Sequence, residues 1–179
     1  MLTLGVDVLG GIRATMVGYS SWFSYDFNTV LVPKTYALKH GIATFSSVKT
    51  ENVRTLNLPN EPTRLGGIIT RQYHIQASEF TQGDTYWVLL NIHLSAFDEG
   101  GNIRVQQFKH LMDIASEYYA NGKHVIIGGD WNMQLVDTNF PYTTEEKFLF
   151  WLKKLPQENI PEGFKLAIDP KVATARTNE

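Results

Sequence analysis

The sequence predicts a single α/β domain, and three observations indicate this class. The chain has 179 residues, which is enough for one domain with a hydrophobic core and short for two. Its first half reads as short strands bounded by glycine or proline, and residues 84–130 read as strand, helix and strand. Such a crossover joins parallel strands in a right-handed sense in nearly all known cases. We therefore expect part of the sheet to be parallel.

Four segments of the first half predict strands because they are short, rich in β-branched or aromatic residues and flanked by turn formers. These segments are residues 27–33, 41–47, 65–76 and 84–94. After Gly101 the apolar residues recur at steps of three and four, which is the stripe of an amphipathic helix. Gly122 lies where that helix should end, and "VIIGG" then predicts a strand covered on both faces.

A second helix is predicted over residues 143–155. Thr143 or Thr144 can cap its start, glutamates occupy its first turn, and lysines occupy its last turn.

Composition excludes several classes of function. The chain has 16 basic and 18 acidic residues, so its net charge of −2 gives no strong attraction to nucleic acid or anionic lipid. It has no cysteine, which excludes disulfides, thiolate catalysis and cysteine-ligated zinc. The segment "MLTLGVDVLGG" lacks the features of a signal peptide, and no apolar run approaches the roughly 20 residues of a membrane helix. We expect no membrane span, and the compartment stays unknown.

Polar residues cluster where the two strands of the crossover end. His93 and Asn91 share a face of one strand, and Asp130 and Asn132 are in phase on the other if the chain stays extended. Trp131 should then point into packing. Ligands of open parallel sheets gather at the carboxyl ends of strands, which makes this edge a candidate site. The alternatives are a glycine turn before Asp130 and a structural role for His93.

These residue types suit phosphoryl chemistry. A carboxylate and an amide oxygen can serve as Mg²⁺ ligands or orient a water molecule. An imidazole can donate to a phosphoryl oxygen whose charge grows in the transition state.

Several motifs resemble the endonuclease/exonuclease/phosphatase superfamily, which has the deoxyribonuclease I-like fold. That family combines an N-x-H-L strand end, an R-x-x-Q helix start and a G-D-x-N strand end. The chain has all three in that order: Asn91-Ile92-His93-Leu94, Arg104 with Gln107, and Gly129-Asp130-Trp131-Asn132. "GIATFSS", "RLGGII" and "VATARTNE" resemble further family segments, the last through Thr174 and Arg176.

The resemblance implies a four-layer sandwich of two β-sheets flanked by helices, with a cleft that hydrolyses phosphoester bonds using Mg²⁺ or Mn²⁺. His93 would contact the scissile phosphate or assist proton transfer. Asp130 would activate the attacking water or hold the metal, and Asn132 would orient that water or serve as a second metal ligand. Arg64 and Asn91 are the corresponding substrate-binding candidates, although a surface arginine is an equally good interpretation of Arg64.

The chain also departs from the family pattern. Gly5 and Leu4 stand where the family has its metal-binding glutamate and the preceding glutamine, and Asp7 is the nearest acid. The sequence contains no Asp-His pair, although the family has a late Ser-Asp-His triplet. We therefore interpret residues 1–179 as a single domain of this type, its central portion, incomplete at both ends.

Two classes of function follow. The first is a metal-dependent phosphodiesterase, nuclease or phosphatase acting on nucleic acid, phospholipid or inositol phosphate. The alternative is a non-catalytic derivative that binds a phosphorylated ligand or a protein partner. The aromatic residues Trp22, Phe23, Tyr25 and Phe27 are expected in the core rather than in a base-stacking platform, because such platforms normally accompany a basic groove.

Overall fold

The computed structural model describes residues 6–28, 39–60, 71–96, 98–137, 152–172 and 174. Within these ranges the helices are α1 (Val8–Thr15) and α2 (Asn102–Ala120). The strands are β1 (Ser20–Asn28), β2 (Lys39–Ser46), β3 (Asn52–Asn57), β4 (His74–Gln82), β5 (Thr85–His93) and β6 (His124–Asp130). Strands β1 and β2 form one antiparallel sheet, and the other sheet has the order β3-β4-β5-β6.

The predicted crossover is confirmed in the larger sheet. Strands β5 and β6 are parallel, with Trp87 opposite His124 and His93 opposite Asp130. The remaining pairs, β3 with β4 and β4 with β5, are antiparallel. Alternate residues of β5 are buried beneath α2, and the helix contributes its own apolar stripe to this core. The buried residues are Val88, Leu90, Ile92, Phe108, Leu111, Met112 and Ala115.

The opposite face of the larger sheet packs on the smaller sheet through polar contacts. Asn91 donates through Nδ2 to the Ala43 carbonyl at 3.1 Å and to Thr44 Oγ1 at 3.0 Å. Gln76 donates to Ser24 Oγ at 2.9 Å. The architecture is therefore an α/β sandwich of two sheets, which confirms the predicted fold class, with α2 on the outer face of the larger sheet.

A cluster of ion pairs joins β3, β4 and the residue just before β6 at the end of the sheet remote from His93. Glu79 accepts from Arg54 Nη2 at 2.8 Å and from Lys123 Nζ, and Arg54 also donates to the Tyr118 hydroxyl at 2.8 Å. Burial raises the pKa of Glu79, but the hydrogen bonds and charges of Lys123 and Arg54 outweigh it, so the pKa is lowered. This carboxylate therefore stabilises the fold in its ionised form.

Some expectations about local structure were wrong, and helix α1 was not predicted. Asp7 caps α1 by accepting from the Gly10 N–H at 2.8 Å. The aromatic residues of β1 are not core, because Trp22 and Phe23 are half-buried and Tyr25 is 47% exposed. Residues 152–155 are not helical, since Lys154 forms a parallel bridge with Gln134.

Other parts of these expectations lie outside the described residues, namely the side chain of Phe27, residues 29–33 and 65–70, and residues 143–151 of the predicted second helix. Among the residues that the structure describes, no helix is long and apolar enough to cross a membrane.

Candidate active site

His93 and Asp130 lie together at the carboxyl ends of β5 and β6. They are register partners, and His93 Nε2 is 3.8 Å from Asp130 Oδ2. The Asp130 side chain is 61% exposed and that of His93 is 24% exposed, so a solvent-borne ligand can reach both. The Leu94 N–H donates to the Asp130 carbonyl at 2.9 Å, which extends the parallel pairing past the strand ends.

The two glycines before Asp130 have different reasons to be present. Gly129 has φ of 133°, and a Cβ there would lie 2.0 Å from the Ile92 carbonyl oxygen of the neighbouring strand. Glycine is therefore required for the backbone of β6 to approach β5. A Cβ at Gly128 would meet nothing within 4 Å among the described atoms. The glycine requirement therefore comes from strand packing at Gly129.

A tight turn after β6 fixes Asn132. Its N–H donates to Asp130 Oδ1 at 3.0 Å, and its φ of 48° places it in the left-handed region that asparagine tolerates. Its side-chain Nδ2 donates to the Leu94 carbonyl at 2.9 Å, which connects the ends of β5 and β6. The amide nitrogen is thus occupied in holding the turn, while the predicted role of Asn132 toward a metal stays a prediction.

Arg104 and Gln107, the R-x-x-Q pair at the start of α2, make hydrogen bonds to the backbone of this turn and of the neighbouring loops. Arg104 is 1% exposed; it donates through Nε to Asp98 Oδ1 at 2.7 Å and through Nη1 to the Asn132 carbonyl at 2.6 Å. Gln107 accepts from the Ser95 N–H at 2.8 Å and donates to the Pro59 carbonyl at 2.7 Å. Both side chains therefore position the backbone around the site.

Sequence reasoning missed three residues that reach the same edge. Asp26 of β1 is 6% exposed and accepts from Arg71 Nε at 3.1 Å and Nη2 at 2.9 Å. His40 of β2 places Nδ1 2.7 Å from Asp26 Oδ1. Arg71 Nη2 also lies 3.3 Å from His93 Nδ1, and the rings of His40 and His93 are 6.0 Å apart. Only the packing of the two sheets brings these residues together, although the alternation of Ser24 and Asp26 with aromatic residues marked one polar face of β1.

The partners of His93 assign its tautomer. A guanidinium group has only donors, so Nδ1 of His93 must accept from Arg71 and the ring proton belongs on Nε2, beside Asp130. Burial lowers the pKa of His93, the Arg71 charge lowers it further, and Asp130 opposes the shift. His93 is therefore a neutral hydrogen-bond donor at neutral pH.

The other predicted site residues lie elsewhere or outside the described residues. The Asn91 amide nitrogen connects the two sheets, so its predicted contact with substrate stays a prediction. Thr174 lies in an exposed bend. Arg64, Gly5 and Arg176 fall outside the described residues.

The described donors do not make a dedicated magnesium site. No group of three histidines, aspartates or glutamates that could hold a metal occurs among the described residues. Asp130 and Asn132 supply one carboxylate and one amide, whereas Mg²⁺ gives up its water only for well-placed oxygen ligands. We therefore derive no step through a metal.

Solved structures share the fold of this chain. TDP2 from Caenorhabditis elegans superposes with a TM-score of 0.53 and 25% identity over 71% of this chain and 35% of its own. A truncated form of that protein gives 0.51 and 24% identity over 71% of this chain and 46% of its own. The human nocturnin catalytic domain with bound sulfate gives 0.51 and 18% identity over 72% of this chain and 47% of its own.

The matched region therefore spans less than half the length of these solved structures. No family model matches the chain, and no curated protein matches it. The chain shares the deoxyribonuclease I-like fold of the endonuclease/exonuclease/phosphatase superfamily, to which TDP2 and nocturnin belong.

Proposed function

We propose that the protein hydrolyses a phosphoester bond at the edge formed by His93 and Asp130. The observation that carries the proposal is their pairing at the carboxyl ends of β5 and β6, 3.8 Å apart, with Arg71 on the other nitrogen of the imidazole. A phosphoryl group at this edge would meet a neutral N–H donor and a guanidinium charge. Donors of this kind stabilise the negative charge that grows on phosphoryl oxygens in the transition state.

Each residue then has a separate role. The exposed carboxylate of Asp130 accepts a proton from the attacking water, as a general base. His93 donates through Nε2 to a non-bridging phosphoryl oxygen. Arg71 attracts the anionic group and, by donating to Nδ1, keeps the His93 proton on Nε2. Asn132 and Arg104 hold the backbone of Asp130 in place.

The roles proposed for Asp130, His93 and Arg71 include no metal step, and the predicted Mg²⁺ or Mn²⁺ stays a separate proposal. Asp130 and Asn132 are the described residues that would supply oxygen ligands, and the ion would stabilise charge on the phosphoryl group. The proposed substrate is a phosphoester of nucleic acid, phospholipid or inositol phosphate. The net charge of −2 disfavours nonspecific binding of a polyanion, because such binding depends on neutralising many phosphates.

The test is turnover of bis(p-nitrophenyl) phosphate, measured with Mg²⁺, with Mn²⁺ and with a chelator. His93→Ala and Asp130→Ala should each reduce kcat by about 10²–10⁴, the usual range for lost acid–base or oxyanion assistance. Asp137→Ala is the matched control, because Asp137 is an 81%-exposed carboxylate on the turn that follows β6. Equal activity in Asp130→Ala and Asp137→Ala would contradict the proposal.

The alternative is a binding domain without catalysis. It is favoured by the absence of a three-residue metal cluster among the described residues. It predicts that phosphate or a phosphomonoester shifts the His93 resonances in NMR spectra while no ester is cleaved. Cleavage that depends on Asp130 rejects this alternative.

A further inference from the structure

We propose that His40 is a second catalytic histidine, which protonates the oxygen of the leaving group. This inference rests on the proposed hydrolysis of a phosphoester at the same edge. It assigns a reaction role to a residue that none of the sequence motifs includes.

His40 is paired with a buried carboxylate. Asp26 Oδ1 and Oδ2 lie 2.7 and 3.0 Å from His40 Nδ1, and the Asp26 side chain is 6% exposed. An ionised carboxylate can only accept, so the Nδ1 proton of His40 points at Asp26. Nε2 is then the nitrogen available for proton transfer. The His40 side chain is 51% exposed, which leaves it accessible to a ligand.

His93 cannot supply the proton that the leaving oxygen needs. Its Nδ1 accepts from Arg71, so its single ring proton is on Nε2. Transfer of that proton would leave an imidazolate anion, which is inaccessible at neutral pH. Protonation at Nδ1 instead would set an N–H against the guanidinium. His93 therefore donates a hydrogen bond, and another group must protonate the leaving oxygen.

His40 and His93 face each other across the two sheets. The His40 ring centroid is 6.0 Å from that of His93, so both rings can border one phosphoryl group. His93 and Asp130 lie on neighbouring strands of the larger sheet, whereas His40 belongs to the smaller sheet. Asp130, which takes a proton from water, and His40, which gives one to the leaving oxygen, thus come from different sheets.

Hydrolysis of the ester moves two protons, one to Asp130 and one from His40. The oxygen of water bonds to phosphorus while Asp130 takes one of its protons, and the ester P–O bond breaks. The leaving oxygen takes the proton from Nε2 of the His40 imidazolium, which becomes neutral. Exchange with solvent then returns a proton to His40 and removes one from Asp130.

The charges around His40 allow this cycle. The buried Asp26 carboxylate lies between His40 and Arg71 and balances positive charge on both. His93 accepts at Nδ1 from Arg71 and so carries a proton on Nε2 alone. His74 is close enough to Asp26 to interact electrostatically. Burial lowers the pKa of His74, so this histidine adds no competing positive charge at neutral pH.

The decisive experiment compares two diester substrates that differ only in the leaving group, p-nitrophenol or an aliphatic alcohol. A phenolate leaves without protonation, whereas an alkoxide needs a proton. His40→Gln can still donate to Asp26 but cannot transfer a proton, so kcat should fall by about 10²–10⁴ for the alkyl ester and far less for the p-nitrophenyl ester. His93→Gln should slow both esters by the same factor. His110→Gln is the matched control, because His110 is an exposed histidine on α2 outside this edge.

Equal losses for both esters in His40→Gln would overturn the role of His40 while leaving the proposed hydrolysis intact. Absence of turnover by the unmodified protein would overturn both proposals together. A second readout needs no activity: ¹⁵N NMR of the imidazoles should find neutral His40 in the Nδ1–H form and His93 in the Nε2–H form. Neutral His40 protonated on Nε2 would reject the proposal.

Discussion

Replacing Arg104 with alanine is expected to lower the free energy of unfolding by about 3–5 kcal/mol. The side chain is 1% exposed and supplies two short hydrogen bonds, to Asp98 Oδ1 at 2.7 Å and to the Asn132 carbonyl at 2.6 Å. Its removal leaves the Asp98 carboxylate, which is 4% exposed, without a counter-charge. An uncompensated buried charge is the main cost of breaking such a pair.

The structure places the expected value near the lower end of that range. Asp98 Oδ2 keeps two backbone donors, the Ile103 N–H at 2.7 Å and the Arg104 N–H at 3.2 Å, which solvate part of the charge. A loss of about 3 kcal/mol is a large part of the roughly 5–15 kcal/mol by which a domain is stable. The turn that carries Asp130 loses its support as well, so activity should fall together with stability.

The assay is urea denaturation followed by fluorescence, with the midpoint and the slope fitted separately. At a slope of about 2 kcal/mol per molar urea, the midpoint should fall by about 1.5 M. Lys154→Ala is the matched control, because its ion pair with Asp137 is 71% and 81% exposed and should contribute less than about 1 kcal/mol. Arg104→Lys should lie between, since an ammonium cannot make both bonds at once. An Arg104→Ala loss no larger than that of Lys154→Ala would refute the reasoning.

Three further predictions concern metal, pH and backbone. Millimolar Mg²⁺ should raise the melting temperature little, because the described residues form no dedicated site; a clear rise that Asp130→Ala abolishes would contradict this. Glu79→Gln should have a lower free energy of unfolding than the unmodified protein at pH 7. Because the pKa of Glu79 is lowered in the folded state, its contribution is present above the unfolded-state pKa of about 4.3 and is lost as pH falls through the folded-state pKa. The difference between the two proteins should therefore vanish as pH falls below about 4.3. In the same urea titration, Gly129→Ala should lower the free energy of unfolding by more than about 2 kcal/mol, and Gly128→Ala by less than about 1 kcal/mol. Similar losses in the two variants would show that the close approach of Gly129 to Ile92 does not require glycine.

Local pattern was enough to predict the crossover. The three-and-four spacing of apolar residues in α2 and the apolar runs on either side depend on neighbours in sequence, and β5, α2 and β6 form where they were expected. The expectation that β6 is covered on both faces was wrong, because Ile126 is 45% exposed. Local pattern did not predict α1. Asp7 caps this helix and Val8, Leu9 and Ile12 lie at helical spacing, but Gly10 and Gly11 disfavour a helix and none of the helix residues is buried.

The sequence by itself determined that His93 and Asp130 share one edge, because parallel strands joined by a crossover bring their carboxyl ends together. Tertiary structure alone decided what surrounds them. Asp26 and His40 belong to the smaller sheet, and they meet Arg71 and His93 only because the two sheets pack face to face. Arg71 precedes β4 and reaches His93 from the neighbouring strand of the larger sheet. Contacts between residues far apart in sequence leave no periodic signal, so the tautomers of the two histidines, and with them the separate roles we propose, could be assigned only from the folded chain.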